Sequence, residues 1–293
     1  MNHLEALLKS FFVLNLSLFL STAYSQESNK YKNPIETYPQ VKIAGSEVRE
    51  FQSAITGETY FIYVGLPRSY SDSARTYPTL YIMDADGAFG TYTEISRLLA
   101  LNNEVPEMII VGIAYGVSFN EYFYNRQRDY TPTAVDEFPG SGGGKNFLRF
   151  IHKELIPFID TEYRVKKSER AISGFSCGGL FVLYTLFQKP EIFNRYFAGS
   201  SSFCWDNYVI FEYEQKYSEK STNLPVKLFL TAGSLEDHGG FVQPLKKFTK
   251  ILNSREYSGL EFKSIILDEE THYSSCGNAI TKGLKWLFKN YQK

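Results

Sequence analysis

The chain has 293 residues, of which 43% are hydrophobic and 22% charged, and its net charge is −1. This balance is typical of a globular protein and excludes a disordered polymer, a collagen and a disulfide-dense miniprotein. A near-neutral charge creates no global field that would attract nucleic acid, so nucleic acid is not an expected partner. Beyond residue 25 no apolar run is long enough for a transmembrane helix, and stable membrane insertion is not expected.

The N-terminus has the layout of an export signal. Met1–Lys9 is a short polar start with one lysine, Phe11–Leu20 is an apolar run, and Ala23-Tyr24-Ser25 places small residues before Gln26. The run is too short to span about 30 Å of hydrocarbon, so a membrane anchor is the weaker interpretation. We predict a signal peptide over residues 1–25 that is cleaved near Ser25/Gln26, which makes the mature protein secreted or periplasmic.

The mature chain alternates strand and helix patterns. Residues 26–45 are a polar lead-in, and alternation over Ser46–Pro67 around a Thr56-Gly57 turn predicts an antiparallel hairpin. Six short apolar runs, typical of strands buried on both faces, follow at Thr79–Met83, Met108–Ala114, Arg170–Ser173, Tyr196–Ser200, Val226–Thr231 and Phe262–Leu267. Apolar residues at helical spacing occur between or after them, at Phe147–Phe158, Leu180–Phe187 and Ile280–Phe288.

This alternation predicts an α/β fold with an open, mostly parallel sheet. We expect a single α/β domain over residues 46–293, with a mostly parallel eight-stranded sheet, an N-terminal antiparallel hairpin and helices on both faces. Residues 115–145 are predicted to be the longest irregular stretch, and loops of that length are usually functional or mobile.

The motif that carries the chemistry is G-x-S-x-G, at Gly174-Phe175-Ser176-Cys177-Gly178. A predicted strand precedes it and a helical segment over Gly178–Gln188 follows it, which is the setting of a nucleophile elbow. The glycines permit the sharp turn, and the helix directs its N-terminal N–H groups to the same place. Ser176 is therefore the predicted nucleophile. The alternative is a glycine-rich turn with an idle serine.

A serine hydroxyl needs a base to take its proton. His272 follows the last predicted strand, at the edge where ligands bind to a parallel sheet, and it is the predicted general base, with His238 as its rival. In the loop after the strand at Val226–Thr231, Glu236 is favoured over Asp237 as the acidic partner, since Asp237 also suits a helix N-cap. A Ser–His dyad without an acid stays open. The order Ser, acid, His is that of α/β-hydrolases.

Acyl transfer also needs hydrogen-bond donors for the oxyanion. The backbone N–H of Cys177, the residue after the nucleophile, is one predicted donor. The other is assigned to the N–H of Asp86, in the loop after Thr79–Met83, with Ala85 or Gly87 as alternatives. Because the backbone is the donor, the identity of the side chain there is expected to matter little.

Several segments together resemble the putative-esterase (esterase D-like) branch of the α/β-hydrolases, and within it the secreted siderophore esterases of the enterobactin and bacillibactin type. These segments are Tyr77–Asp84, Val111–Ile113, Arg126–Pro132, Phe147–Tyr163, Gly174–Tyr184, Lys189–Phe193 and Thr271-His272. In that family the elbow serine is the nucleophile and the late histidine is the base. The resemblance therefore implies an α/β-hydrolase fold and these roles for Ser176 and His272.

The chain departs from the family pattern near the predicted cleft. The usual G-H-S-x-G-G elbow has Phe175 in place of histidine, and a common S-P-S-x-W-W segment is present as Ser200–Trp205, with Cys204 in place of one aromatic residue. Trp205 is kept as a candidate substrate-binding residue. Arg126 and Arg128 are two more, because they could bind an anionic substrate, although pairing with Asp129 and its neighbours is the favoured interpretation.

The three cysteines, Cys177, Cys204 and Cys276, cannot form a closed disulfide framework, and they form no Cys/His cluster of the kind that binds zinc. No metal or organic cofactor is predicted. All three follow predicted strands at one edge, so a Cys204–Cys276 disulfide is a hypothesis in an oxidising compartment, with three separate small core residues as the alternative.

The resulting hypothesis is a secreted serine hydrolase that cleaves a small-molecule carboxylic ester through an acyl-enzyme, for example a siderophore or carbohydrate ester. An acyltransferase that uses the same acyl-enzyme is a second hypothesis. A non-catalytic binding protein that keeps the fold is a third.

Overall fold

The computed structural model describes residues 41–72 and 74–291, without the side chains of residues 237–239. The described residues from Ala44 onwards form one compact unit. The predicted signal peptide over 1–25 and the lead-in up to residue 40 lie outside the described residues. Among the described helices, none combines the length and the apolar character that crossing a membrane requires.

Eight strands form the sheet: β1 (Ser46–Gln52), β2 (Thr59–Gly65), β3 (Tyr77–Ile82), β4 (Ile109–Ala114), β5 (Val165–Phe175), β6 (Arg195–Gly199), β7 (Lys227–Gly233) and β8 (Glu261–Leu267). They lie in the order β1-β2-β4-β3-β5-β6-β7-β8. The β1–β2 and β2–β4 pairs are antiparallel and the other pairs are parallel. The predicted α/β-hydrolase fold, with its N-terminal hairpin and mostly parallel sheet, is confirmed.

Eight α-helices surround this sheet in the described residues: α1 (Ala85–Leu101), α2 (Phe119–Tyr130), α3 (Gly144–Phe150), α4 (Ile156–Glu162), α5 (Cys177–Gln188), α6 (Trp205–Ser218), α7 (Val242–Arg255) and α8 (Ser275–Leu287). Every residue of β3 and β4 is buried, because helices cover both faces of the central strands. Helix α5 is buried from Cys177 to Phe187, which explains its nearly continuous apolar sequence.

The prediction of an irregular stretch over residues 115–145 is wrong, because α2 lies inside it. Ser118 and Glu121 form a capping box, in which each side chain binds the backbone N–H of the other residue, and this starts the helix. Helix α2 lacks an apolar stripe, since its buried residues are Gln127, Asp129 and Tyr130. Apolar periodicity therefore did not reveal it.

A π-helical segment, Ile151–Leu155, joins α3 to α4 and contacts the N-terminal hairpin. Its Glu154 carboxylate accepts hydrogen bonds from the Ser53 hydroxyl at 2.6 Å and from the N–H groups of Ala54 and Ile55 at 3.0 and 3.2 Å. One carboxylate thus fastens the turn between β1 and β2 to the helix beside it.

The parallel strands bring their carboxyl ends to one edge of the sheet, where ligands bind in this class of fold. Strand β5 is longer than predicted, because Lys167 and Ser168 are exposed within it and hide the apolar signal of a strand. The loops after β3, β5, β6, β7 and β8 meet at this edge. They carry the predicted catalytic and oxyanion-hole residues.

Candidate active site

Ser176 stands at a sharp turn between β5 and α5. Its backbone angles, φ 60° and ψ −120°, lie outside the regions that L-residues ordinarily occupy. Such strain persists where the surroundings over-determine it, and it is common at active sites. A Cβ on Gly174 would lie 2.3 Å from the Gly178 carbonyl oxygen, and one on Gly179 would lie 2.6 Å from Ser201 Oγ. Close packing therefore requires glycine at Gly174, inside the motif, and at Gly179, directly after it.

The Ser176 hydroxyl faces Ser202, a residue that sequence reasoning did not identify. The two Oγ atoms are 3.4 Å apart, and the Ser202 N–H donates to the Ser176 carbonyl at 3.1 Å. Ser202 Oγ also lies 3.6 Å from the Cys177 thiol. The loop after β6 thus packs directly against the elbow and provides a hydrogen-bond partner for its hydroxyl.

His272 and Glu236 are in direct contact, although 36 residues separate them. His272 Nδ1 lies 2.8 Å from Glu236 Oε2. The other carboxylate oxygen, Oε1, accepts hydrogen bonds from the Ser200 hydroxyl and the Gly233 N–H, both at 2.7 Å. The Glu236 side chain is 1% exposed. Of the two acids considered from the sequence, Glu236 contacts His272, and the side chains of Asp237 and of the rival base His238 lie outside the described part of the chain.

The environment of Glu236 favours its charged form. Burial raises the pKa of its carboxyl, but the hydrogen bonds from His272, Ser200 and the Gly233 backbone outweigh this effect, and the pKa is lowered from its ordinary value. A carboxylate that is charged and buried can orient an imidazole and stabilise its protonated form.

The imidazole of His272 lies beside the elbow. Its ring centroid is 5.5 Å from that of Phe175, the residue that precedes Ser176, and 4.7 Å from that of Phe241. In the described residues no hydrogen bond joins the imidazole to the Ser176 hydroxyl, whose partner is Ser202. The contact between His272 and Glu236 is therefore formed, and the imidazole packs against the residue that precedes Ser176. Catalytic hydrogen bonds are often long or unformed in the absence of substrate.

Two helix N-termini supply the amides that were predicted to bind an oxyanion. Within the described residues, the N–H groups of Cys177, Ala85 and Asp86 donate to no protein acceptor, as is usual in a first helical turn. The Gly87 N–H is used, because it donates to the Asp84 carbonyl at 3.1 Å. The two helix starts are adjacent, since a Cβ on Gly178 would lie 3.1 Å from the Met83 Cβ.

The Asp86 side chain has a structural role that the sequence-based expectation did not include. Its carboxylate accepts the N–H groups of Tyr115 and Gly116, each at 2.8 Å. It thereby joins the start of α1 to the loop after β4. The expectation that side-chain identity matters little at this position is wrong in this respect.

The two candidate substrate-binding arginines are occupied by acidic partners. Arg126 binds Asp84 through Nε and Nη2, at 2.5 and 3.0 Å. Arg128 binds Asp129 in the same bidentate manner, at 2.8 and 2.9 Å, and it also contacts Glu58 at 2.8 Å. The favoured interpretation, pairing with acidic neighbours, agrees with these contacts.

Trp205 lies at the start of α6, where it is 8% exposed. Its indole N–H donates to the Thr133 carbonyl at 3.1 Å, and its ring is 5.5 Å from that of Phe138. The indole thus packs against the loop between α2 and α3.

The cysteines are free thiols in the structure, with Cys177 buried, Cys204 exposed and Cys276 intermediate. A Cys204–Cys276 disulfide is therefore absent from this structure.

Comparison with known proteins supports the assignment of the fold and adds an activity. The sequence profile of the Putative esterase family matches residues 53–258. The ferri-bacillibactin esterase BesA of Bacillus subtilis (strain 168) is 37% identical over 211 residues, which are 67% of this chain and 72% of BesA. The siderophore triacetylfusarinine C esterase of Aspergillus fumigatus is 31% identical over 191 residues, which are 62% of this chain and 65% of that protein.

Among solved structures, the BES protein from Bacillus cereus aligns with a TM-score of 0.77 and 27% identity, over 86% of this chain and 98% of its own. The family match covers most of the compact unit, and the relatives are esterases, as the sequence resemblance implied. The chain thus belongs to the Putative esterase family and is a carboxylic ester hydrolase.

Proposed function

We propose that the protein is a serine esterase in which Ser176 is the nucleophile, His272 the general base and Glu236 the residue that orients the base. The observation that carries this proposal is the 2.8 Å contact between His272 Nδ1 and the buried Glu236 carboxylate, on a ring that packs against Phe175. A carboxylate at Nδ1 holds the ring proton on that nitrogen, so Nε2 becomes the proton acceptor.

The reaction begins when the ester carbonyl oxygen binds the N–H of Cys177 and that of Ala85 or Asp86. Rotation of the Ser176 side chain takes its hydroxyl from Ser202 to His272. As Oγ bonds to the carbonyl carbon, its proton passes to Nε2, and the carbonyl oxygen becomes an oxyanion held by the backbone amides. Collapse of this tetrahedral species breaks the ester bond, and the imidazolium gives its proton to the leaving alcohol.

Water completes the cycle. It loses a proton to His272 as its oxygen attacks the acyl carbon on Ser176, and the second tetrahedral species releases the carboxylic acid while Ser176 regains its proton. The negative charge of Glu236 offsets the positive charge on the imidazole in both halves of the cycle.

The test is Ser176→Ala, which should lower kcat for p-nitrophenyl acetate by at least about 10³-fold. Ser202→Ala is the matched comparison, because its hydroxyl is only 3.4 Å away from that of Ser176. A fluorophosphonate should add to Ser176 in the wild type and in Ser202→Ala. Full turnover by folded Ser176→Ala, or an adduct on Ser202, would reject the proposal.

We infer that the substrate is a siderophore ester. The support for this inference comes from the relatives, which hydrolyse a ferri-bacillibactin and a triacetylfusarinine C siderophore, respectively, according to their names. A panel of a catecholate trilactone, a fusarinine-type ester and a feruloylated sugar, each with and without iron where it binds iron, should give the highest kcat/KM for a siderophore. Preference for the sugar ester would contradict this inference.

We also propose that the protein is exported and cleaved before Gln26, on the basis of the signal-like layout of residues 1–25. N-terminal sequencing of the protein recovered from its producing cells should begin at Gln26. An intact Met1 would contradict the proposal.

A further inference from the structure

Asp84 directly precedes two candidate oxyanion donors, the N–H groups of Ala85 and Asp86. It lies where β3 ends and α1 begins, and its backbone is left-handed, with φ 59° and ψ 38°. L-residues rarely adopt this conformation, although aspartate adopts it more readily than most of them. The unpartnered N–H groups of Ala85 and Asp86 follow directly, so a change of backbone conformation at Asp84 would turn both of them.

One face of α2 holds Asp84 in this conformation. Tyr122, Arg126 and Tyr130 recur at every fourth residue and lie in a row along the helix. The Tyr122 hydroxyl donates to Asp84 Oδ1 at 2.7 Å, Arg126 binds both carboxylate oxygens, and the Asp84 N–H donates to the Tyr130 hydroxyl at 3.0 Å. All three side chains of this row therefore bind the same residue.

Arg126 also contacts the strand that carries the nucleophile. Its Nη2 lies 3.5 Å from the carbonyl oxygen of Phe175, the residue before Ser176. The guanidinium is flanked by the rings of Tyr122 and Tyr130, with Cζ 5.5 and 5.7 Å from their centroids, and the side chain is only 12% exposed. One rigid, planar group thus touches the end of β5 and the residue that follows β3.

We propose that Arg126 is a positioning residue that fixes the spacing between the oxyanion donors after β3 and the Ser176–Cys177 pair after β5. This inference rests on the proposed role of Ser176. Lysine cannot replace the guanidinium, because an ammonium group lacks the planar fork that binds both carboxylate oxygens and reaches a third acceptor. The Asp84 carboxylate already balances the charge of Arg126, which separates this role from the binding of an anionic substrate.

The kinetic consequence follows from where the donors act. An oxyanion forms only on the way to the tetrahedral intermediate, so misplaced donors raise the barrier without weakening the binding of substrate. A displacement of about 1 Å can cost on the order of 100-fold in rate. Arg126→Lys should therefore lower kcat by about 10- to 100-fold and leave KM within about 3-fold.

Arg195 offers a closely matched control. It is 11% exposed, binds the Glu169 carboxylate and the Leu287 carbonyl, and lies against the rings of Phe288 and Tyr291. Arg195 is the first residue of β6, so it lies at the amino ends of the parallel strands, whereas Ser176 lies at their carboxyl ends. Arg195→Lys should keep kcat within about 3-fold of the wild type, since it perturbs the same kind of contact away from the site.

The experiment compares wild type, Arg126→Lys and Arg195→Lys on neutral p-nitrophenyl acetate and on an anionic ester, mono-p-nitrophenyl glutarate. Arg126→Lys should lose kcat equally on both esters. Its inhibition constant for phenylboronic acid, which forms a tetrahedral adduct with a catalytic serine, should rise by the same factor as kcat falls. Melting curves verify that each variant is folded.

Two results would overturn the inference: an increase of KM confined to the anionic ester, which would make Arg126 a substrate-binding residue, and an unchanged kcat on both esters. If Arg126→Lys fails to fold, Asp84→Asn tests the contact between Arg126 and Asp84 from the other side. Asparagine tolerates the left-handed backbone conformation, but it offers Arg126 one oxygen acceptor instead of two. An unchanged kcat in Asp84→Asn counts equally against the inference. Full activity of Ser176→Ala would instead reject the proposed function.

Discussion

Replacement of Glu236 by glutamine removes one negative charge from a carboxylate whose two oxygens both have hydrogen-bond partners. The size of the side chain changes little. Oε1 already accepts hydrogen bonds from Ser200 and Gly233, both at 2.7 Å, so the amide oxygen of the new side chain should keep those two donors. The amide NH₂ group must then face His272 Nδ1, which lies 2.8 Å from Oε2 in the wild type. Two donors cannot share that contact, and Nδ1 must become an acceptor.

The imidazole consequently carries its proton on Nε2, the nitrogen that should receive the proton of Ser176. The equivalent change in a serine protease triad lowers kcat by about 10⁴-fold with its geometry intact. We therefore expect Glu236→Gln to lower kcat by about 10³- to 10⁴-fold. The Ser176 hydroxyl, which contacts Ser202 in the structure, must rotate towards the imidazole in the wild type and in the variant alike. KM should change little, since neither tautomer alters the groups that bind substrate.

The assay is steady-state hydrolysis of p-nitrophenyl acetate, with folding verified by thermal melting. Glu261→Gln is the matched control, because that side chain is 67% exposed at the start of β8, far along the strand from His272. A loss in Glu236→Gln of less than about 10-fold would refute the reasoning. If Asp237→Asn were the defective variant instead, the acid would be Asp237, the alternative that the sequence left open.

Two further predictions concern stability. Gly179→Ala should lower the free energy of unfolding, measured by urea titration, by about 1–3 kcal/mol, because its Cβ would lie 2.6 Å from Ser201 Oγ and 2.8 Å from the Gly199 carbonyl oxygen. Gly277→Ala in α8 should raise the free energy of unfolding by up to about 1 kcal/mol, because its Cβ would meet nothing within 4 Å. Shifts of the same sign in the two variants would contradict this packing. Folding lowers the pKa of Glu236, so its charge contributes stability that is present above its unfolded pKa and is lost as the pH falls through the folded pKa. The difference in unfolding free energy between wild type and Glu236→Gln should therefore shrink as the pH falls below the ordinary pKa of a glutamate carboxyl. A difference that does not depend on pH would mean that the pKa shift is absent.

The parts of the site that depend on local backbone could be predicted from the sequence. The G-x-S-x-G motif between a predicted strand and a predicted helix indicated the sharp turn at Ser176, where a Cβ on Gly174 would lie 2.3 Å from the Gly178 carbonyl oxygen. His272 could be located because the topology of a parallel sheet brings the loop after its last strand to the same edge.

Contacts between distant residues could not be predicted in this way. Glu236 and Asp237 are neighbours in a short turn, and only the folded backbone decides which one faces the imidazole. Ser200 supports Glu236 from a different strand, and no spacing rule connects the two. Apolar periodicity could not predict helix α2, because the face that binds Asp84 does so through hydroxyl and guanidinium groups.

The sheet order also determines where the protein tolerates an attachment. Strand pairing between β2 and β4 and the hydrogen bonds of Glu154 hold the N-terminal hairpin in place. Strand β1 is the outermost strand on this side of the sheet, four positions away from β5. At about 4.8 Å per strand, roughly 19 Å of sheet separates β1 from the strand that carries Ser176. A tag, a resin linkage or a fused carrier joined ahead of Ser46 should thus leave catalysis unhindered, which makes this end of the compact unit the sensible choice for immobilising the enzyme.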